Sequence, residues 1–506
     1  MLSISSKLNR LRRVAILAAR LLCASLITPG TFAQDSAGYP ALSGAYISSA
    51  QHPRVFVTSA ELTDMVTRIN APRSFSAQNF SRLANQVKSH LAAKVDWDAV
   101  YSGCDLDIYL HAFSYEPASG YANEIRAESQ LTTALHVKPG LAPPAGAAIV
   151  ASRLALYAAL INAGAKTPAG APTADQGTAL AKRILLAWAG RGFRDQNGHF
   201  LNRAEQFCDG QARFNRLEEN NVGLQIARGV IYSVHAQDLL QSIAAFNAAE
   251  TTELNAFHAA MFDLIREASN FRFTLPELNR SADTRCELYS NHAGAHLAGL
   301  LAIARLLDDG RKFNAVLYSN DHSIPVALPW TAWFNHAVYG ENDKPISCYK
   351  NKGPDRSTSP DSFQTPVVAP GEIEDRYRNH NASQGFGYPL GVLAGLYNMA
   401  ELMENAGFDA YGYRGSHKQS IEMATRYYAC YGKYVGFKKT VTADNARACP
   451  DDPQYIGQSV SGLEINLVMG AYRFPGNSLI TELEAAAKAA AGADLLDAIR
   501  FGRWRD

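Results

Sequence analysis

The sequence predicts an all-α protein in which helical hairpins form an array or an (α/α) toroid, an incomplete α/α barrel whose long loops line a groove. Apolar residues recur at three- and four-residue spacing in segment after segment, which is the period of a helix, whereas the two-residue alternation of strands is scarce. The hairpins have similar lengths, although no internal sequence repeat is visible. With 506 residues, 47% of them hydrophobic, the chain can bury a large core.

The predicted helices begin after a short extended segment at residues 52–57 and continue almost to the end of the chain. The first begins near Ser59 and has an N-cap, and Gly407 has the position of a left-handed C-cap. The other segments with helical spacing are 147–164, 177–190, 216–246, 252–268, 291–308, 389–406, 417–431 and 479–496.

Residues 309–388 break this pattern, because Pro, Gly, Asn, Asp and aromatic residues predominate there. We expect a long loop, and a loop of this length in a compact helical protein is functional or disordered. Trp330, Trp333 and Phe334 favour an ordered wall or lid, with Trp330 as a candidate substrate-binding residue. The alternative is a surface excursion that its own aromatic residues pack.

The first 33 residues have the pattern of a secretory signal peptide: a basic start, an apolar stretch from Val14 to Ile27 and the ending Thr31-Phe32-Ala33. Arg20 interrupts the apolar stretch, which is also too short for a transmembrane anchor. We therefore expect a periplasmic or secreted protein whose residues 34–506 form one domain, with its core at about residues 52–500.

The cysteine content agrees with export. Of the seven cysteines, Cys23 falls in the predicted signal peptide, and the remaining even number permits up to three disulfides of unknown pairing. No pair has CxxC spacing, so neither a structural zinc site nor a thioredoxin-like site is predicted. The mature cysteines are Cys104, Cys208, Cys286, Cys348, Cys430 and Cys449.

Several function classes lack their signatures. The formal net charge is +1 and no long basic run occurs, so we expect no nucleic-acid partner. The chain has no P-loop and no dinucleotide-binding fingerprint, and "GQSVSG" does not have the spacing of a nucleophile elbow.

The segment "SNHAGAHLAG", residues 290–299, is the first candidate site. Ser290 is the predicted N-cap of a helix, which places Asn291 and His292 in its first turn, where unpaired N–H groups and the helix dipole favour an anionic ligand. The same field favours a neutral imidazole that can accept a proton. His296 lies one turn later, but without HEXXH or a third ligand we predict no metal. The alternative is a pair of residues that only cap their own helix.

The segment "EDRYRNHNASQGFGYP", residues 374–389, is the second candidate. Pro389 fits the first position of a helix, so residues 376–388 are predicted to be a glycine-containing approach loop that makes an anion site with titratable groups. The alternative is a solvated loop, exposed if the sequon at Asn381 is used. Its candidate residues are Arg376, Arg378, His380, Asn381, Gln384 and Tyr388.

Two weaker signals remain. Asn220 and Asn221 interrupt a helical pattern, so an inward-facing amide is possible there. Glu372, Glu374 and Asp375 could supply the carboxylate pair of a glycosidase, but the sequence does not give the separation of their carboxyl groups.

These segments resemble the alginate-lyase-like polysaccharide lyases, the helical-toroid enzymes that cleave acidic polysaccharides by β-elimination. "HPRVFVTSAEL" is similar to the start of their catalytic domain, "SNHAGAHLAG" to their Asn-His motif, and "ENNVGLQIARGVIY" to the segment that supplies an inward Asn. Residues 374–413 resemble the later motif, in which an Arg and a His precede a helix. Ala382 stands where related lyases often have a tyrosine, so Tyr388 is the nearest candidate, followed by Tyr377 and Tyr289.

The resemblance implies a division of labour among these residues. Asn221, Asn291 and Arg376 would hold the substrate carboxylate, with Asn220, Arg378, Gln384 and Trp330 as further binding residues. His292 or Tyr388 would remove the C5 proton, Tyr388 would protonate the leaving oxygen, and His380 would orient the tyrosine or share the carboxylate.

The function expected on this basis is cleavage of a β-1,4-linked polyuronate, either alginate (polymannuronate) or glucuronan. We expect no cofactor and no metal, an acidic polysaccharide as the only partner, no membrane anchor, and a monomer. Two alternatives stay open: a glycoside hydrolase of acidic polysaccharides, and a uronan-binding protein in which Ala382 marks lost catalysis.

Overall fold

The computed structural model describes residues 38–101, 106–114, 128–195, 197–201, 222–274, 289–343, 368–375, 386–449 and 455–506. In these ranges every regular element is a helix, and extended segments pair only through isolated bridges, so the all-α prediction is confirmed. The helices are α1 Ser59–Asn70, α2 Phe75–Ala92, α3 Leu106–Tyr109 with a π-helical turn Leu110–Ser114, α4 Glu128–Ala134, α5 Ala147–Asn162, α6 Ala174–Arg191, α7 Val222–Ser242, α8 Ala248–Thr274, α9 Asn291–Leu306, α10 Gly310–Tyr318, α11 Trp330–Ala337, α12 Gly387–Asn405, α13 Ile421–Tyr434, α14 Leu463–Arg473, α15 Ser478–Thr481 and α16 Glu484–Ala491, followed by a 3₁₀ turn Gly492–Leu496.

An inner layer consists of α5, α7, α9, α12 and α14, each packed against the next. Contacts between α9 and α12 show that these two helices run in the same direction. Near their starts, a Cβ added to Gly391 would lie 3.6 Å from Asn291 Nδ2, and at their ends Arg305 donates to the carbonyl of Asn405 at 2.5 Å. Helices α7 and α9 are also parallel, because Gly223 contacts His296 and, one turn further along both helices, Ala227 contacts Gly299.

The outer layer consists of α6, α8, α10, α13 and α16, each packed on the inner helix that it follows in the chain. Tyr397 of α12 is hydrogen-bonded to Thr425 of α13 at 2.7 Å, and Phe386 contacts Tyr431, so the two helices are antiparallel. Helices α1 and α2 pack on α5, and Glu61 of α1 forms an ion pair with Arg473 at the end of α14. The circuit of contacts therefore closes, which confirms the predicted (α/α) toroid.

The composition of each helix explains its layer. Helices α5 and α9 have apolar residues on all sides and are buried over almost their whole length, as expected for helices enclosed by other helices. Helix α1 is amphipathic and buries one stripe, Leu62, Met65, Val66 and Ile69. Its N-cap Thr58 forms a capping box with Glu61, and Gly407 has φ +96° in a Schellman C-cap of α12, so both predicted helix ends are confirmed.

Other boundaries differ from the prediction. The predicted loop 309–388 contains two helices, α10 and α11, because its aromatic residues are buried inside the core rather than arranged on a surface loop. The predicted helix 479–496 consists of the short pieces α15 and α16 and a 3₁₀ turn, and α2 and α14 were not predicted. Cys430 and Cys449 form a disulfide, whereas the other mature cysteines and the predicted signal peptide lie outside the described residues. The described part of the chain contains no helix long and apolar enough to span a membrane.

The C-terminal ends of the inner helices are closed by the segment at residues 42–57. The Asp238 carboxylate, which is fully buried near the end of α7, accepts hydrogen bonds from the backbone N–H groups of Arg54 and Val55 at 2.9 and 2.8 Å and contacts His52 Nδ1 at 2.6 Å. Arg305 donates to the carbonyls of Ile47 and Asn405. Cationic side chains thus complement the negative ends of the helix dipoles.

A second buried network joins the C-terminal segment to the toroid. The Glu401 carboxylate, on α12, accepts from Arg473 Nε at 2.8 Å and from Tyr411 at 2.5 Å, and lies 3.2 Å from Arg503 Nη2. Burial opposes the charge of Arg473, but the carboxylates of Glu401 and Glu61 outweigh it and raise the pKa of Arg473. The pairing is therefore strong enough to keep buried arginines charged.

We expect Glu401→Gln to reduce the free energy of unfolding by up to about 3–5 kcal/mol, because it removes one of the two carboxylates, Glu401 and Glu61, that pair with the guanidinium groups of Arg473 and Arg503. Chemical denaturation at neutral pH measures this change. Asp444→Asn is the matched control, since Asp444 and its partner Arg447 are 85% and 79% exposed and the loss should stay below about 1 kcal/mol. Equal effects of the two substitutions would contradict the role given to Glu401.

Buried histidines predict acid sensitivity. His258 lies between α7 and α8, with Nε2 2.9 Å from Ser233 Oγ, and burial lowers its pKa to about 3. The unfolded chain takes up a proton on this imidazole below its ordinary pKa of about 6.5, whereas the folded protein does not do so until far lower pH. The buried neutral His258 therefore does not reduce the free energy of unfolding above about pH 6.5. As the pH falls from there towards 3, protonation of this imidazole in the unfolded chain progressively lowers the free energy of unfolding.

We expect the free energy of unfolding of His258→Gln to depend less steeply on pH between about pH 6 and pH 4, by up to about 1.4 kcal/mol per pH unit. The slope is the readout, because the substitution also lowers stability at every pH. Denaturation curves at several pH values measure it, with the exposed His322→Gln as the control variant. An unchanged slope in His258→Gln would show that other groups cause the acid sensitivity.

Candidate functional site

The candidate site lies at the end of the inner layer where α7, α9 and α12 begin. Because these helices are parallel, their N-termini lie at the same end, opposite the end that residues 42–57 close. We call this region the mouth and define it by Gly223, Asn291 and Gly391. The positive ends of the helix dipoles converge there.

Helix α9 begins as predicted, with Ser290 as its N-cap in an extended conformation. The first N–H group, however, is not available to a ligand: Asn291 N donates to Asp375 Oδ2 at 2.8 Å, and Asp375 is fully buried. At this first N–H group, a carboxylate of the protein therefore takes the place that the prediction gave to an anionic ligand. The anion-binding role of the rest of the first turn stays a prediction.

The Asn291 side chain lies near the start of α12. A Cβ added to Gly391 would be 3.6 Å from its Nδ2 and 3.9 Å from its Cβ, which is ordinary van der Waals contact. Helix α12 begins at Gly387, two residues before the predicted start at Pro389, which still lies in the first turn, where a missing N–H group costs nothing. Tyr388 precedes Gly391 by one turn and is half-buried. The structure thus brings Asn291 and the Tyr388 helix together.

The two histidines of α9 have different environments. His292, in the first turn, is half-buried, whereas His296 is 2% exposed and its ring faces Gly223 of α7. A Cβ on Gly223 would lie 2.6 Å from His296 Nε2, so the two helices approach closely at this point. Among the described residues no group of three or more His, Cys, Asp or Glu side chains is arranged to hold a metal ion.

One side of the mouth is a wall in which residues 339 and 371–372 are joined by backbone hydrogen bonds. Tyr339 N donates to the Glu372 carbonyl and Gly371 N to the Tyr339 carbonyl, both at 2.8 Å. The second of these segments continues to Asp375, which binds the start of α9. Trp333 packs on Gly294, and its Nε1 donates to the Ser290 carbonyl at 3.3 Å. Trp333 therefore holds the first turn of α9 in place through packing and one hydrogen bond.

Trp330 does not belong to the site. Its side chain is 0% exposed and packs between Phe334 and Tyr413, with ring centroids 5.0 and 5.2 Å away. The prediction that it binds substrate is wrong, because α11 is a core helix and not part of a loop. Its spacing to Trp333 and Phe334, three and four residues, was the signal for a helix.

The carboxylates of the glycosidase alternative have structural contacts. Glu372 is 1% exposed and accepts from Ala369 N at 3.1 Å, and Asp375 binds the start of α9. Glu374 is also buried. These groups hold the wall in place, so no observation here favours them as an acid–base pair.

Seven predicted site residues lie outside the described residues, namely Asn220, Asn221, Arg376, Arg378, His380, Asn381 and Gln384. In the sequence, Asn221 directly precedes α7 and Arg376 directly follows Asp375. Sequence reasoning missed His336, whose ring stacks on Tyr289 with centroids 4.5 Å apart. Its only signal was its position in an aromatic segment with helical spacing.

Comparisons with known proteins add a structural similarity. No protein-family model matches the chain, and no curated protein matches its sequence. Among solved structures, the chain is similar to an alginate lyase from Bacteroides ovatus, with a TM-score of 0.45 and 12% sequence identity, over 87% of this chain and 96% of that protein. At this level the similarity carries no argument about residues or chemistry.

We expect Gly223→Ala to destabilise the protein by about 1–3 kcal/mol, because the added methyl group would overlap the buried His296 ring and lie 3.0 Å from Ala268 Cβ. Thermal and chemical unfolding measure the loss. The control is Gly395→Ala in α12, where no heavy atom lies within 4 Å of the added Cβ and helix propensity favours alanine. Equal stability of both variants would contradict the close packing of α7 on α9.

Proposed function

We propose that this protein is an exported polysaccharide lyase that cleaves a β-1,4-linked polyuronate, alginate of the polymannuronate type or glucuronan, by β-elimination. The observation that carries the proposal is the contact of the Asn291 amide, in the first turn of α9, with Gly391 of α12, which lies one turn after Tyr388. The resemblance of both segments to lyase motifs supports it.

The reaction requires a base, an acid and hydrogen-bond donors to the substrate carboxylate. The base removes the C5 proton, the electron pair forms the C4–C5 double bond, and the C4–O bond breaks as the acid protonates the leaving oxygen. The C5 proton is barely acidic while the neighbouring carboxylate is charged, so donors to that carboxylate stabilise the transition state, each by about 10²–10³ in rate. Proton transfer by positioned groups adds roughly 10²–10⁴.

The residues at the mouth are suited to these three chemical roles. The Asn291 amide would donate to the substrate carboxylate, and half-buried His292 would accept the C5 proton, or Tyr388 would do so. Tyr388 would protonate the leaving oxygen. Because Asp375 already offsets the positive end of α9, the cation that the substrate needs would come from Arg376, the next residue in the sequence, with Asn221 as a second amide.

The remaining predicted residues have supporting roles in this proposal. His380 would orient the tyrosine or share the carboxylate, while Arg378, Gln384 and Asn220 would bind neighbouring parts of the polymer. No step requires a metal or a cofactor, since amide, imidazole, phenol and guanidinium groups suffice for the chemistry.

We expect the purified protein to produce unsaturated, ultraviolet-absorbing ends from at least one of mannuronate-rich alginate, guluronate-rich alginate and β-1,4-glucuronan. Absorbance and reducing ends should rise together, because each elimination creates one of each. New reducing ends without absorbance would indicate a hydrolase. Binding without any product after long incubation would indicate a uronan-binding protein.

We expect Tyr388→Phe to lower kcat by at least about a hundredfold with little change in KM, because the substitution removes only the hydroxyl group that transfers a proton. Asn291→Ala should lower kcat and weaken substrate binding. Steady-state kinetics on the preferred polymer measure both effects.

The matched control is Tyr434→Phe, because this tyrosine is 49% exposed on the outer helix α13 and should keep normal kinetics. Near-normal turnover by Tyr388→Phe would show that another residue protonates the leaving oxygen. Tyr289, 8% exposed and stacked on His336, and Tyr377, outside the described residues, are then the next variants to measure.

A further inference from the structure

A small cleft lies beside the mouth and has no role in the mechanism above. It has a volume of ≈ 180 Å³ and lies between α11, residues 339–343 and the turn at residues 415–419. We call it the His336 cleft and define it by Tyr39, His336, Tyr339, Ser416 and His417, which line it together with Asp343.

The Asp343 carboxylate organises one side of the cleft. It accepts from Gly340 N at 2.5 Å and from Gln419 Nε2 at 3.2 Å, and it pairs with His417 Nδ1. Since a carboxylate only accepts, Nδ1 carries the proton in this pair, and Nε2 of His417 lies on the other side of the ring from Asp343. The His417 side chain is 55% exposed, so the ring is accessible to a ligand.

Aromatic rings form the other side. Tyr39 is hydrogen-bonded to His336 Nε2 at 2.7 Å, and the His336 ring also stacks on Tyr289. Burial lowers the pKa of His336, an effect that the nearby Asp343 opposes and His417 reinforces, so this imidazole is neutral at neutral pH. The lining therefore combines aromatic surface with fixed polar groups.

Two connections join the cleft to the mouth. Tyr289, which stacks on His336, lies two residues before Asn291 in the chain. Tyr339, which lines the cleft, pairs through its backbone with Glu372, three residues before the Asp375 that binds Asn291 N. The cleft and the start of α9 are thus parts of one wall.

We propose that the His336 cleft is a binding subsite for one sugar residue of the polyuronate chain, next to the position of cleavage. This inference depends on the proposed function. The volume is below the range of about 300–1,000 Å³ usual for drug-sized ligands, so the cleft accommodates a single ring. His417 Nε2, whose ring is held by Asp343, is a hydrogen-bonding partner for the ring hydroxyls, and the tyrosine and imidazole rings form a surface for the apolar face of the sugar.

The test fills the cleft without changing the proposed catalytic residues. Ser416 is exposed, and its backbone N–H, which donates to Asn335 Oδ1 at 2.7 Å, is retained in any substitution. Ser416→Trp places a bulky ring in the cleft, and Ser416→Ala is the matched control that leaves the space open. Both full-length variants are compared with wild type on purified oligouronides of increasing length.

We expect Ser416→Trp to lower kcat/KM by about tenfold on oligouronides long enough to reach the cleft, which corresponds to about 1.4 kcal/mol of lost binding. Its kcat/KM on the shortest cleaved oligouronide should equal that of wild type, and Ser416→Ala should equal wild type at every length. The length dependence separates loss of a subsite from general misfolding, which would lower activity on all substrates.

His417→Gln provides a second measurement if Ser416→Trp does not fold. It keeps a side-chain donor for Asp343 but removes the imidazole ring with its Nε2, and the same loss limited to long substrates is expected. Normal kcat/KM of the folded variants at every length, with wild type active on uronans, would overturn the subsite and leave the proposed function intact. Failure of wild type to cleave or bind any uronan would overturn both.

Discussion

The absence of a polar face on the inner helices is the constraint on which the rest of this structure depends. Helices α5 and α9 are apolar all round, so no side of either can face water. Other helices therefore have to enclose them, and the hairpin connections then make the inner helices parallel. Parallel helices have their N-termini at one end and their C-termini at the other, which gives the toroid two chemically different ends.

The protein treats these two ends differently. At the C-terminal end, Arg305 and Arg54 donate to backbone carbonyls of the residues around them, including Leu306 and Asn405, and Asp238 fixes residues 52–55. This end is sealed by the chain itself. At the N-terminal end, the Asp375 carboxylate accepts from the first N–H group of α9, and the half-buried His292 and Tyr388 lie in the first turns of α9 and α12. Polar side chains therefore gather at this end.

Close packing at the mouth depends on small residues as much as on polar ones. Gly223 admits the His296 ring, and Gly294 admits Trp333. Both glycines lie in the first turn of their helices, so α7, α9 and α11 pack closely near the proposed site. This arrangement fixes the position of Asn291 through packing, and the Asp375 carboxylate fixes it through a backbone hydrogen bond. A rigid first turn is what a catalytic amide and imidazole need in order to act without reorganisation.

The sequence by itself determined the helical class, the ends of α1 and α12 and the start of α9, because each depends on local patterns: apolar spacing, the Thr58–Glu61 capping box, Gly407 and Ser290. It also predicted that Asn291, His292 and Tyr388 act together, and the structure brings Asn291 close to the helix that contains Tyr388. It did not reveal that Trp330 is a core residue, since a tryptophan in a loop-like composition can lie inside or outside depending on what packs against it. Nor did it reveal that Asp375 occupies the α9 N-terminus or that His336 stacks on Tyr289. Those contacts join residues far apart in the chain, and only the tertiary structure decides them, because they depend on which helix ends the toroid brings together.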